Sequence, residues 1–582
     1  MPRSHLTSLQ PGHALRESLR SGYGTGALFQ DLLAGTTVGI IAIPLAMALA
    51  IASGVPPQYG LYTAIIAGLI IALSGGSRFS VSGPTAAFVV LLYPIASEFG
   101  LGGLLLATLM SGLILISMAV LRLGRFIQYI PEPVTLGFTA GIAVVIATLQ
   151  LKDFLGLPLE SLPADYPGKL HALWQALPNW HLAELLVASL TLLTLILWPR
   201  LKTPLPPHLP AILVGALLAW YLGQQGMVVD TIGSRFHYLL ADGSRGDGIP
   251  PLLPQFAWPW DQVDAKGQPL QLSLSLIQAL LPSAFAIAML GAIESLLCAV
   301  VLDGMTGTRH SANSELLGQG LGNLIGPFFG AIPATAAIAR SAANVRAGAR
   351  SPLASIFHAL VVLLALLALT RILAYIPMAT MAALLMLVAW NMSEAPKALK
   401  LLRQAPSSDI LVFLCCFGLT VVFDMVIAIT VGIVLASLLF MKEIAAMTRL
   451  TDISENPRHV PQPLPADWQV YRIDGPLFFA AADNLFSELM LRGKDSRYLV
   501  LDWQNVSLLD AGGLAALERC IKWVIQEQKE LLIAAVPFQG LRVLAKAGIR
   551  EIPGHLSFYH ELQAALPQHS DQHPASASQA PA

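Results

Sequence analysis

The chain has 582 residues, of which 55% are hydrophobic and only 12% are charged, and its mean hydropathy is +0.65. Soluble domains carry about 25% charged residues, so this composition indicates an integral membrane protein in contact with the lipid bilayer. The net charge of −1 argues against nucleic acid as a partner and gives no reason to expect an acidic one.

The first segment, residues 1–30, is polar and contains Arg3, Arg16 and Arg20. It lacks the short apolar run and the small-residue cleavage site of a signal peptide. We therefore expect a cytosolic N-terminal segment.

Residues 31–441 contain about fourteen apolar stretches that are long enough to be membrane spans or half-spans. They lie near 31–53, 59–75, 84–98, 101–121, 126–150, 181–199, 208–223, 272–300, 313–330, 340–349, 353–373, 377–393, 408–422 and 424–441. With the N-terminus in the cytoplasm, the short cytoplasmic connections receive most of the Lys and Arg residues. This asymmetry predicts that both termini are cytoplasmic and that residues 225–270 form an external loop.

After residue 441 the composition becomes that of a soluble protein. Residues 442–465 form a Pro-rich linker, and residues 466–565 alternate strand-like and helix-like patterns, which is typical of a small α/β domain. The last stretch, residues 566–582, has the composition of a disordered tail. Cys298, Cys415 and Cys416 lie in apolar segments and Cys520 in the soluble part, so no disulfide is expected.

Two passages about 250 residues apart resemble each other. "VSGPTAAFVV" (81–90) and "AIPATAAIARSAANV" (331–345) each place a proline and Thr-Ala-Ala beside the start of a short helix. Two halves of seven spans would be inverted relative to each other, as in many secondary transporters. Each broken helix would begin inside the bilayer, where its free N–H groups and positive dipole end attract an anion. The alternative is that Pro84 and Pro333 only kink two packed helices.

Arg340 lies at the predicted start of the second short helix. A buried arginine is costly unless paired, so an intramembrane charge indicates a functional site. Together with two helix ends it supplies a charge of roughly +2, which suits a dianion; sulfate and succinate both fit. The alternative is a purely structural ion pair.

Glu294 lies in the middle of its span, where a carboxylate is expected to exchange a proton and to couple transport to it. The alternative is a neutral acid hydrogen-bonded between two helices. No catalytic triad, nucleotide loop or zinc spacing is present in the sequence, so we expect no enzyme activity, cofactor or metal. The glycine-rich stretch 318–326 lies within a span, where close helix packing explains it.

The passages "VPPQYGLYTA", "GGSRFSVSGP" and "IPATAAIARSAANVRAGARSP", with the C-terminal domain, resemble the SulP anion transporter family and its STAS domain. The resemblance covers about residues 27–565. It implies a polytopic α-helical fold with a 7+7 inverted repeat. Spans one to four and eight to eleven would form a core subdomain, and the other spans a gate subdomain. It also implies elevator-type movement of the core and a homodimer.

Within this resemblance, Glu294 matches the acidic position of span eight. The positions expected to bind substrate are Leu45, Leu49, Thr85, Ala86, Ala339, Arg340 and Ser341. Many animal members have glutamine where Leu45 stands and serine where Ala339 stands, so the cavity here is more apolar. This favours the bacterial C4-dicarboxylate carriers of the family. Cys298 stands where a sodium-coupled relative has threonine, and a thiol is a poor ligand for a hard cation, which favours protons.

In soluble STAS domains a phosphorylatable serine follows an aspartate and one further residue. Here the stretch is "LDAGGL", with Gly512 at the serine position, and Asp510 is expected to cap the following helix. The domain is expected to serve assembly or regulation, with an unidentified cytosolic protein partner.

The sequence therefore predicts a proton-coupled importer of C4-dicarboxylates (succinate, fumarate or aspartate) in a bacterial inner membrane. The alternatives are a bicarbonate or sulfate transporter of the same family, and a membrane sensor that signals through its STAS domain without moving solute.

Overall fold

The computed structural model describes residues 9–125, 130–159, 162–163, 165–201, 203, 205–239, 245–265, 267–423 and 425–567. Residues 126–129 and 424, which belong to two predicted spans, and most of the predicted tail lie outside this part. The chain divides into two compact units, Met1–Ile433 and Val434–Ala582.

Every stretch predicted as a span coincides with a helix in the described part of the chain. The helices up to residue 447 are α1 (His13–Arg20), α2 (Thr25–Ala52), α3 (Pro57–Tyr62), α4 (Gly68–Ser74), α5 (Ala86–Val120), α6 (Glu132–Phe154), α7 (Tyr166–Ala176), α8 (Leu182–Leu197), α9 (His208–Gln224), α10 (Ile232–Arg235), α11 (Leu274–Thr306), α12 (Ala312–Ile325), α13 (Ile338–Arg346), α14 (Leu353–Ala368), α15 (Thr370–Leu373), α16 (Met378–Met392), α17 (Ala395–Gln404), α18 (Ser407–Val422) and α19 (Met425–Met447).

Eight helical segments of the described chain are long and apolar enough to cross a membrane, and α9, α14 and α18 are shorter apolar helices. A π-turn at Thr63–Ala67 joins α3 to α4 into one such segment. The long helix α5 contains two predicted spans, which are separated by a kink at Gly100 with φ 68°. The amphipathic or short helices α1, α7 and α17 have no counterpart among the predicted spans, because their charged residues or length do not suit a span.

The membrane helices pack in two groups. In the first group, α2 packs along α14, and α5 packs on α11 and α12; in the second, α6 packs on α16 and α18, and α8 packs on α9 and α16. The first group consists of helices predicted for the core, and the second group consists of helices predicted for the gate.

The pairing also shows a repeat of contacts between the two halves of the membrane unit. Spans 5 and 13 are α6 and α18, and these two helices are in contact. Their counterparts seven spans away, spans 12 and 6, are α16 and α8, and these are in contact as well. The same shift relates the α2–α14 pair to the α11–α5 pair. Contacts that recur under such a shift are expected of two halves that share one fold.

The glycine-rich stretch of α12 lies where helices approach most closely. A Cβ atom at Gly318 would lie 2.6 Å from Cα of Gly75, and one at Gly320 would lie 2.7 Å from Cγ1 of Ile116. These distances are too short for any side chain, so the prediction of close helix packing is confirmed. Small residues allow the backbones of membrane helices to approach in this way.

The described residues of the membrane unit include four short strands: β1 (Ser82–Gly83), β2 (His237–Leu239), β3 (Arg245–Asp247) and β4 (Thr335–Ala336). β1 pairs with β4 and β2 pairs with β3, both in antiparallel fashion. The β2–β3 hairpin lies in the stretch predicted as the external loop.

The second unit contains a five-stranded sheet of β5 (Arg449–Asp452), β6 (Trp468–Leu477), β7 (Tyr498–Leu509), β8 (Glu530–Ala534) and β9 (Leu556–Tyr559). The strands lie in this order; β5 is antiparallel to β6 and the others are parallel. The helices of the unit are α20 (Ala482–Arg492), α21 (Ala511–Gln526), α22 (Phe538–Lys546) and α23 (Leu562–Ala565). β5 lies in the stretch predicted as linker, because four residues without apolar alternation give no strand pattern.

Asp510 caps α21. Its Oδ1 accepts a hydrogen bond from the N–H of Gly513 at 2.7 Å, and its Oδ2 accepts one from the N–H of Phe479 at 3.2 Å. A Cβ atom at Gly512 would lie 2.4 Å from Cβ of Phe479. A serine at position 512 would therefore displace Phe479, so this turn lacks both the hydroxyl and the room for one.

We expect Gly320→Ala to lower stability by about 1–3 kcal/mol, because the added methyl group forces α12 away from α5. The thermal unfolding temperature of the purified protein in detergent measures the loss. Gly304→Ala is the matched control, since a Cβ at Gly304 has no atom within 4 Å. Equal unfolding temperatures for both variants would contradict this account of the packing.

Candidate functional site

The two repeated passages meet in an antiparallel ladder. Ser82 of β1 pairs with Ala336 of β4, and Gly83 pairs with Thr335. Each strand leads within a few residues into a helix, β1 into α5 and β4 into α13. Because the strands run in opposite directions, the two helices leave the ladder at opposite ends with their amino ends directed toward each other.

Proline explains why each ladder strand is so short. Pro84 follows β1 and Pro333 precedes β4. Proline has no N–H to donate, so it ends strand pairing. Each first turn of helix then has N–H groups without a partner inside the helix.

Arg340 connects the two halves of the site. It lies in the first turn of α13 and is only 2% exposed. Its Nη2 donates a hydrogen bond to the carbonyl oxygen of Pro84. Within the described part of the chain, Nε and Nη1 have no acceptor. A Cβ atom at Gly83 would lie 2.8 Å from Nη1, so glycine leaves the room that the guanidinium occupies.

Glu294 of α11 faces the same place. Its Oε2 accepts a hydrogen bond from the hydroxyl of Thr85 at 3.0 Å. Glu294 and Arg340 are close enough to attract each other electrostatically. The structure thus brings together a carboxylate, a guanidinium and two helix starts, which are far apart in the sequence.

The other predicted binding residues differ in exposure. Leu49, Ala86 and Ser341 are buried, Leu45 is half-buried and Ala339 is exposed. The exposed position at the start of α13 shows that this helix end is accessible, whereas the start of α5 at Thr85 is buried.

Three of these residues are part of the scaffold. The hydroxyl of Ser341 accepts a hydrogen bond from the N–H of Val81 at 2.9 Å, which ties α13 to the strand of the other half. Leu45 and Leu49 lie on α2, a helix that packs against both α5 and α13.

A polar face of α12 supports the ladder, and it is missing from the predicted site. Gln319 Nε2 donates to Ser82 Oγ at 3.0 Å, and Asn323 bonds to both the N–H and the carbonyl oxygen of Ala334. Glu315 Oε2 accepts from the N–H groups of Gly76 and Ser77, both at 2.9 Å.

The pattern of this face is visible in the sequence. Glu315, Gln319 and Asn323 recur every four residues and therefore share one side of a helix. Polar residues at this spacing inside a span indicate contacts with irregular backbone, since lipid cannot satisfy it.

The geometry of a metal site is not found in the described residues, where no three His, Cys, Asp or Glu side chains are grouped to hold an ion. The charged groups at the site are Arg340 and Glu294.

Comparison with known proteins places the chain in a family. A model of the sulfate permease family matches residues 28–416, and a model of the STAS domain matches residues 462–565. The chain belongs to the sulfate permease family. It is a multi-pass membrane anion transporter with a C-terminal STAS domain, and its relatives are transporters rather than enzymes.

Two relatives of this permease match over nearly their full length. The putative sulfate transporter YvdB of Bacillus subtilis is 37% identical over 92% of this chain and 97% of its own. The bicarbonate transporter BicA of Picosynechococcus is 27% identical over 89% of this chain and 90% of its own.

Solved structures agree in fold. The transmembrane domain of a cyanobacterial BicA aligns with a TM-score of 0.59 at 28% identity, covering 71% of this chain and 98% of that one. SLC26A9 aligns with a TM-score of 0.78 at 18% identity, covering 94% of this chain and 91% of that one. The fold predicted from the sequence, a helical membrane transporter followed by a STAS domain, is confirmed.

We expect Gly83→Ala to impair anion transport as severely as Arg340→Ala, because the added methyl group displaces the guanidinium. The anion concentration that gives half-maximal uptake into proteoliposomes should rise in both variants. Gly304→Ala again serves as the control for a glycine with free space around it. Wild-type uptake by Gly83→Ala would show that the position of Arg340 is unimportant.

Proposed function

We propose that this permease is a secondary active carrier that imports a small anion together with a proton. The observation that supports this most is Arg340, a buried guanidinium with two N–H-bearing nitrogens that have no acceptor within the described chain. Buried polar groups are nearly always satisfied, and each exception calls for an explanation. An anion held between the two helix starts would satisfy both nitrogens.

Charge arithmetic links the anion to the proton. Two helix starts contribute about +0.5 each, and Arg340 adds +1, while an ionised Glu294 subtracts 1. The site then carries about +1 with Glu294 ionised and about +2 with Glu294 protonated. Protonation of Glu294 therefore strengthens anion binding and releases the hydroxyl of Thr85 from a charged acceptor. The loaded carrier holds both the anion and the proton.

The substrate class follows from this charge. About +2 in the protonated state matches a dianion, which both sulfate and C4-dicarboxylates provide. Leu45 and Ala339 add apolar surface beside the charged groups, which supports a dianion with a carbon backbone such as succinate, fumarate or aspartate. Inorganic anions are the second candidate, because relatives of this chain are named for sulfate and bicarbonate.

Alternating access is proposed to occur by movement of the core against the gate. Tyr93 of α5 donates to the carbonyl oxygen of Leu162 and accepts from its N–H, at 3.1 Å and 3.0 Å. Leu162 precedes α7, which packs on the gate helices α6 and α18. This contact joins core and gate on one face of the molecule, while the start of α13 is accessible. Breaking it is part of the proposed movement.

We propose that the carrier lies in a bacterial inner membrane as a homodimer, with both termini in the cytoplasm. The STAS domain is proposed to bind a cytosolic protein partner. Serine phosphorylation at position 512 is excluded as its switch, because the residue is glycine.

Uptake of radiolabelled succinate into proteoliposomes with an acidic exterior tests the substrate. We expect saturable uptake that unlabelled fumarate inhibits more strongly than sulfate or bicarbonate does. Saturable sulfate uptake without succinate uptake would transfer the assignment to the inorganic anion, and no uptake of any of these anions would contradict the carrier itself.

We expect Glu294→Gln to abolish accumulation driven by a pH gradient, because glutamine is permanently neutral. Exchange of labelled for unlabelled substrate should persist, since the positive charge of the site remains. Uptake by the wild type should rise as the external pH falls, and uptake by the variant should not. Glu98→Gln is the matched control, because this glutamate is exposed at the far end of the half-helix that starts the site. An unchanged pH profile in Glu294→Gln would place the proton elsewhere.

A further inference from the structure

Five aromatic side chains form a continuous cluster on the face where α12 ends. They are Phe256, Trp258, Trp260, Phe328 and Phe329, and we call them the aromatic cluster. Phe256 stacks on Phe328 with a centroid distance of 5.7 Å, and Trp258 stacks on Trp260 at 4.9 Å. An edge contact of 5.6 Å between Trp258 and Phe328 joins the two stacks, and Phe329 adds to them through an edge contact of 5.9 Å with Phe256.

The cluster is open to its surroundings. Phe256 is 57% exposed and Trp258 is 45% exposed, so the rings that organise the cluster also form its surface. The neighbouring Leu252 and Leu253 of the same loop are exposed as well. A contiguous apolar patch of this kind marks a surface that another phase or molecule covers.

The loop that carries the first three rings is fixed to the core. The N–H of Ala257 donates to the carbonyl oxygen of Phe328 at 2.8 Å, and the N–H of Gly102 donates to that of Val263 at 3.1 Å. At the kink of α5, a Cβ on Gly100 would lie 2.3 Å from the backbone of Asp264. The cluster therefore belongs to the same group of helices as the anion site.

The surface of the cluster continues into the lipid-facing surface of the core. Ile325, the last residue of α12 and three residues before Phe328, is exposed. On α11, large apolar residues that are exposed recur every three or four positions and so share one helix face: Leu274, Ile277, Leu281 and Phe285. Large apolar side chains on one face of a membrane span contact acyl chains.

We propose that the aromatic cluster is an interfacial anchor that inserts into the boundary between lipid headgroups and acyl chains, at the end of α12 opposite the N-terminal segment, whose Gln10 bonds to Ser314 at the start of α12. Tryptophan is enriched at this depth, because its ring is apolar and its indole N–H can donate to ester and phosphate oxygens. The exposed carboxylate of Asp261, next to Trp260, limits the insertion to the headgroup boundary. The occupant of the patch is thus the bilayer itself.

Tryptophan fluorescence in proteoliposomes tests the anchor without any transport assay. The emission of Trp258 and Trp260 is obtained as the difference between the wild type and the double variant Trp258→Phe, Trp260→Phe. Lipids brominated near the carboxyl end of the acyl chain should quench this difference signal strongly, and lipids brominated near the methyl end should quench it less. Trp503, fully buried in the STAS domain, supplies the control through Trp503→Phe, whose difference signal should resist both lipids.

Two outcomes would overturn the proposal. Quenching by aqueous iodide without quenching by brominated lipid would place the cluster in water, as a docking site for a soluble partner. Equal resistance to both quenchers would show that another protein surface covers it. If the double variant does not fold, the single variants Trp258→Phe and Trp260→Phe give the same comparison. Because the readout is optical, failure of the anchor and failure of the proposed transport function remain distinguishable.

Discussion

The antiparallel ladder between β1 and β4 is the constraint on which the site depends. Backbone that leaves a helix inside the membrane has no water to satisfy it, and each unsatisfied group costs several kcal/mol. The ladder satisfies the irregular backbone of each repeat with that of the other. Since neither strand can be satisfied alone, the two half-helices hold each other at the depth where they begin, and Arg340 reaches from one half to the carbonyl of the other.

A second layer keeps the ladder in place: Ser295 and Gly291 of α11 bond to Thr335, and further support comes from α12. This helix presents a polar side to the strands and a glycine side to its neighbours, so it can approach both. The polar side compensates for backbone that cannot form regular structure, and the glycines remove the side chains that would hold the helix away. The combination explains why a span of this protein carries Glu315, Gln319 and Asn323 although none of them is a candidate ligand.

Much of this organisation follows from the sequence, because the relevant patterns are local or repeated. Apolar length locates the spans, and the shared Pro and Thr-Ala-Ala pattern identifies the two broken helices before any coordinates are known. Asp510 before a helix predicts its cap, which the structure confirms. The sequence does not predict the elements that are stabilised by tertiary contacts. The strand β5 forms by pairing with the edge of β6, and α7 packs against α6 and α18 without being a span itself.

In the candidate site, too, the sequence predicts some features and not others. Residue type and position are enough to select Arg340 and Glu294, since a charge inside a span needs a reason. The bond between Thr85 and Glu294 and the space that Gly83 leaves for the guanidinium depend on how distant segments meet, which no single-sequence pattern encodes. The polar face of α12 is partly predictable, because the sequence shows its four-residue spacing but does not show which groups it bonds to.

The ladder has a consequence for the thermodynamics of the cycle. In the proposed carrier, the main-chain hydrogen bonds of the ladder hold the two halves of the site together, so the site does not have to be assembled anew when it is exposed to the opposite compartment. An identical pocket on both sides implies equal intrinsic affinity on both sides. In the proposed carrier, the pocket itself then favours neither compartment, and no binding free energy is lost when the loaded site changes sides.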